Sequence, residues 1–158
     1  MADQTLLMLF DEVRGKTLRL LEGVTNAQAR WAPPGLANHI VWHAGHIYVV
    51  VEALTLEALG ETVELPAGWH VMFSWQSRPA DVPGERWPTL IEVVEALRSQ
   101  HHRLRALVAA LNAEQLAAPP AGAQEGSLRH RIVHALHDEA NHGGEIWLLR
   151  KMQNAGRR

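Results

Sequence analysis

The sequence predicts an all-α protein: a four-helix bundle with one long irregular loop between its second and third helices. Three observations lead there. Four stretches carry apolar residues at the 3–4 spacing of an amphipathic helix, and none alternates polar with apolar residues as a half-buried strand does. Residues 61–88 show no helical period and hold Pro66, Gly68, Pro79, Pro83, Gly84 and Pro88. With 158 residues the chain is expected to be one domain spanning 1–158. A chain of this size buries about 70 % of its unfolded surface, so it needs no disulfide or metal merely to fold.

The first helix is expected from Asp3, a good N-cap, to Leu21, with Leu6, Phe10, Val13, Thr17 and Leu20 on its inner face and Gly23 as its stop. The second runs from about Asn38 to Leu59, after Pro33-Pro34-Gly35 and before Gly60. Ile40, Val41, Trp42, Ile47, Val49, Val50, Val51 and Leu54 make it apolar nearly all round, so it should be the most buried. The third, from Thr89 to Leu111, carries the stripe Leu90, Val94, Leu97, His101, Leu104, Val108 and Leu111. The fourth runs from an N-cap at Ser127 to about Gln153, with Leu128, Ile132, Leu136 and Ile146 inward.

The loop 61–88 contains Trp69, Phe73, Trp75 and Trp87, too apolar for a disordered tether. It is expected to pack over the bundle as a lid and to bury Trp75 or Trp87. NAQARWAPPG at 26–35 echoes NAEQLAAPPAG at 112–122. Both read as short helical turns at helix ends, each opening with an asparagine N-cap.

Composition excludes several functions. The absence of cysteine removes thiol nucleophiles, iron–sulfur clusters and cysteine zinc sites. A net charge of −2, with no basic run longer than a pair, leaves no electrostatic footprint for nucleic acid. There is no run of 18 apolar residues for a membrane span, and MADQTLLMLFDEVRGK lacks the basic-then-apolar order of a signal peptide. The expected location is therefore the cytoplasm.

The chain has 10 histidines. His39, His43 and His46 fall within roughly 60° on the second helix. The fourth carries His130, His134, His137 and His142, interleaved with Asp138, Glu139 and Glu145. Ligands on one helix converge at i,i+3 or i,i+4. Asp138 and His142 are four apart and about 40° apart, so both can face one ion, whereas His137 points about 100° away from Asp138. His134 with Asp138, and Glu139 with His142, are the alternative pairs. His101, on an apolar stripe, reads as a core histidine hydrogen-bonded to a neighbour; His70, His102 and His130 read as surface residues.

VWHAGHIYVVVE on the second helix and LHDEANHGGEIWLLRK on the fourth, with the lead-in RWAPPGLANHI, resemble the DinB/YfiT superfamily. That resemblance implies a four-helix bundle holding one divalent ion on three side chains, and common homodimers. It places the ligands on His46, Asp138 and His142. Asp138 stands where the family pattern has histidine, so the set becomes two imidazoles and a carboxylate, a facial arrangement with open positions. Zinc or nickel come first on ligand softness, manganese or iron next. His43 and Glu139 remain as substitutes or as partners behind the ligands, with His134 as a further alternative.

The resemblance further implies a metal-dependent enzyme on a small-molecule substrate, either a transferase or isomerase using a low-molecular-weight thiol or a hydrolase. A thiol cosubstrate suits a chain with no cysteine of its own, and Arg78 or Arg86 in the aromatic loop could hold a substrate carboxylate. The alternative is a non-catalytic, stress- or damage-associated binding protein with a structural or vestigial metal site.

Overall fold

The computed structural model describes residues 1–155. Its long helices are α1 (Gln4–Leu21), α3 (Ile40–Leu59), α5 (Leu90–Ala110) and α7 (Leu128–Ala155), and its short ones are α2 (Asn26–Ala29), α4 (Trp69–Phe73) and α6 (Ala113–Ala117). No strand occurs among the described residues. Asp3 caps α1 by accepting from the Leu6 N–H at 3.0 Å, and Thr89 and Glu92 form a capping box on α5. Gly60 ends α3 in the left-handed conformation (φ 76°), where a side chain would be strained.

The long helices pack in a ring in which α1 touches α5 and α7, and α3 touches the same two. The connections from α1 to α3 and from α5 to α7 therefore cross the bundle end diagonally. Each carries one of the echoed segments, as α2 and α6, and each short helix packs on the long helix that follows it. Asn112 caps α6 as expected. Asn26 does not cap α2; Thr25 does, because its hydroxyl closes a capping box with Gln28. Asn26 instead accepts the Leu90 N–H at 2.9 Å and ties α2 to the start of α5.

From Ile40 to Glu52 every residue of α3 is buried. The apolar residues that run nearly all round this helix are thus absorbed by the chain's own core. His101 stacks on Phe10 and pairs with Asp11 at 3.0 Å, half-buried at the edge of the core.

Between α3 and α5 the chain is more ordered than its sequence suggests, with α4 and two 3₁₀ turns at Pro79–Asp81 and Gly84–Arg86. Trp87 is buried with Trp69 and Phe73, while Trp75 is 68 % exposed. Gly45, in mid-α3, is where this segment seats: a Cβ there would overlap the Phe73 ring.

A polar network crosses the core. The Arg14 guanidinium forks onto Glu139 at 2.8 and 2.9 Å and donates to Gln100 Oε1 at 2.9 Å. Gln100 in turn donates to Glu52 at 2.9 Å, and Glu52 pairs with Arg103. All four long helices contribute, so the register of the bundle is tied by directional bonds as well as by apolar packing.

Candidate metal centre

The interface of α3 and α7 brings His46 to Asp138 and His142, 92 and 96 positions later in the chain. His46, Asp138 and His142 each offer one ligand atom, all within 4.8 Å of one another. Asp138 Oδ2 lies 3.9 Å from His46 Nε2 and 3.9 Å from His142 Nε2. Both rings are held from behind. His46 Nδ1 lies 2.6 Å from the Phe73 carbonyl, which can only accept, so the ring proton sits on Nδ1 and Nε2 is bare. His142 Nδ1 lies 2.7 Å from Glu145 Oε2, which places its proton likewise. An imidazole whose outer N–H is given to a carbonyl or carboxylate is the arrangement that orients metal-ligating histidines.

Asp138 Oδ2 is buried and has no hydrogen-bond partner among the described residues. Two bare imidazole nitrogens and an unpartnered carboxylate oxygen around one point are costly together unless a cation joins them. The donor set, two imidazoles and a carboxylate, therefore fits a divalent cation. Trp42 stacks on His46 with centroids 4.7 Å apart and anchors its indole N–H on Ser77 Oγ at 2.7 Å, so the α3–α5 segment walls one side of the centre. Burial lowers the His46 pKa, against the opposing pull of the Phe73 carbonyl, which keeps the ring neutral at neutral pH.

The remaining histidines and acids separate clearly. His43 joins a second group with His142 and Glu145, and burial, with the neighbouring His142 and His46, pushes its pKa down to about 3. Glu139, an alternative ligand on spacing, points the other way: one residue after Asp138 it is rotated about 100° into the core and is neutralised by Arg14. His134 and His137 are exposed, and His134 stacks only on His130. His39 is not on the face of α3; it is the N-cap, its Nδ1 accepting the Trp42 N–H at 3.1 Å. Glu145, three residues after His142 on the same helix, stands behind that ring at the i,i+3 spacing. The Phe73 carbonyl was missed from the sequence, where nothing in residue type signals it.

The model of the DinB superfamily matches residues 9–146 of the chain. The chain belongs to the DinB superfamily. Among solved structures, this DinB protein is similar to a conserved protein from Enterococcus faecalis, with a TM-score of 0.66, 20 % identity and 96 % of each chain covered, a likeness of fold. No curated protein matches it. No helix among the described residues of the DinB chain is long and apolar enough to cross a membrane.

Gly45→Ala tests how the centre is supported. Alanine is the better helix former by about 1 kcal/mol, yet its methyl would displace Phe73 and with it the carbonyl behind His46. The variant is expected to melt below wild type and to bind zinc about 10–100-fold more weakly, the usual cost of losing such an outer partner. A Gly45→Ala protein at least as stable, with unchanged zinc affinity by chelator competition, would show that Phe73 is not seated there.

Proposed function

We propose that this protein is a divalent-metal-dependent enzyme acting on a small molecule, with zinc or nickel held by His46, Asp138 and His142. The observation that carries the reading is the unpartnered Asp138 Oδ2 facing two imidazole nitrogens whose rings are fixed from behind. Three protein donors leave positions for water or substrate, as in catalytic rather than structural sites. A bound ion of this kind lowers the pKa of a coordinated water or thiol and polarises a substrate oxygen.

The reaction classes are transfer from a low-molecular-weight thiol or hydrolysis. Ser77, Arg78 and Arg86 line a cavity of about 690 Å³ together with Met72 and Val82. Ser77 also accepts from Trp42, which stacks on His46, so the indole stands between this cavity's lining and the metal centre. Apolar walls with two guanidinium groups against the one carboxylate of Asp81 suit a substrate that carries an anionic group. A homodimer belongs to the same reading, supported by exposed Trp147, Leu148 and Met152 along α7.

Tag-free protein is expected to carry zinc or nickel by elemental analysis. Loaded with cobalt(II), it is expected to develop thiolate-to-cobalt absorption when cysteine or dithiothreitol is added. Ligation needs neutral imidazole, so retention should fall with falling pH; because the His46 pKa is lowered, the loss at that ligand sets in below about 6.5. Protein that takes up no ion refutes the reading. An ion retained in a closed shell, unresponsive to thiol and with no exchangeable water, favours the non-catalytic binding protein.

A further inference from the structure

We propose that the centre takes a second divalent cation, on His43, His142 and Glu145, with the His142 ring shared between the two ions. The proposal rests on the assignment of the first ion to His46, Asp138 and His142, and extends it to the opposite edge of the same ring.

His43 Nδ1 and His142 Nδ1 are 3.0 Å apart. Glu145 Oε2 lies 3.0 Å from the former and 2.7 Å from the latter. Three donors bound at about 2.1 Å and mutually at right angles stand about 3 Å from one another, so this triangle has the edges of one face of an octahedral ion.

Protons alone satisfy it poorly. If one ring donates to the other, the accepting nitrogen turns its lone pair toward the Glu145 oxygen. If both rings donate to Glu145, two N–H groups lie side by side. One cation among the three atoms engages all three lone pairs at once. The Glu145 side chain is 53 % exposed while that of His43 is 5 % exposed, so the position is open to solvent on the carboxylate side and walled on the other.

The proton balance is explicit. His43 keeps its single ring proton by moving it to Nε2. His142 has both nitrogens engaged, so its Nδ1 proton leaves to solvent and an imidazolate bridges the two ions. Two divalent cations against Asp138, Glu145 and the imidazolate leave one positive charge, which favours an anionic ligand on the open side.

The test is stoichiometry and magnetic coupling in chelator-stripped protein, with the exposed His130, His134 and His137 replaced by glutamine throughout so that surface imidazoles do not contribute. Zinc titration against a chromophoric chelator is expected to give two equivalents per chain, and one in Glu145→Gln or His43→Gln with the helical circular dichroism unchanged. With two equivalents of copper(II), the imidazolate bridge couples the spins, so the integrated electron paramagnetic resonance signal falls well below the copper content. In Glu145→Gln it equals the copper content. Saturation at one equivalent that survives in Glu145→Gln but is lost in Asp138→Asn rejects the second position and leaves the first standing. Two equivalents with full, uncoupled signal also reject the shared ring. One equivalent lost in Glu145→Gln but retained in Asp138→Asn overturns the two-ion centre and the assignment of the first ion together.

Discussion

His142→Ala is expected to leave the protein unable to retain a divalent cation under conditions that saturate wild type. His142 is the one residue common to both three-donor groups, with Nε2 facing Asp138 and Nδ1 facing Glu145. Its removal reduces each group to two donors, so the loss should exceed the roughly 10–100-fold that outer partners cost. The side chain is 16 % exposed and donates nothing to the core network, so the melting temperature in the presence of a chelator should stay close to wild type. His137→Ala, on an exposed position of the same helix, should bind as wild type does. Asp138→His should keep the ion, since an imidazole there supplies a donor of the same kind as His46 and His142. Elemental analysis and chelator competition read all three. Full retention in His142→Ala would remove the basis for any ion at this face.

Glu139→Ala is expected to cost about 3–5 kcal/mol of stability, because it strips the partner from a buried guanidinium. The side chains of Arg14 and Glu139 are 2 % and 0 % exposed, so water cannot replace the lost carboxylate. Domains of this kind are stable by only about 5–15 kcal/mol, so the variant should approach the threshold of folding. Arg14→Met combined with Glu139→Leu should recover part of the loss by removing both charges. It should not recover all of it, since Gln100 and the Leu97 carbonyl also depend on Arg14. Urea denaturation measures each variant. The metal content of folded Glu139→Ala should equal that of wild type, which separates this residue from its neighbour Asp138. A loss under 1 kcal/mol would mean that the network does not hold the bundle's register.

What the sequence determined by itself was local. Helical periodicity and caps placed the long helices within a residue or two, because a 3.6-residue repeat and an N-cap such as Asp3 act over one turn. The pairing of Asp138 with His142 was legible for the same reason: four residues along a helix is a neighbour on its surface. The length and aromatic content of 61–88 showed a packed segment, though not that α4 forms within it, since five residues have little helical tendency until Trp69 and Phe73 find a core.

Tertiary structure decided whatever depended on a partner distant in the chain. Glu139 and Asp138 are adjacent and chemically alike; helical phase turns them about 100° apart, but only Arg14, 125 residues earlier, allows the inward one to be buried as a charge while the other faces His46. His39 and His46 share a face on a helical wheel, but a helix that begins at Ile40, two residues after the expected start, turns His39 into a cap, and boundaries at that precision are set by packing. The Phe73 carbonyl that fixes His46 belongs to the backbone of a connecting segment and has no signature in residue type. It reaches the ring because Gly45 leaves room for Phe73. Periodicity could place donors on faces; the atom each donor presents, and what stands behind it, required the fold.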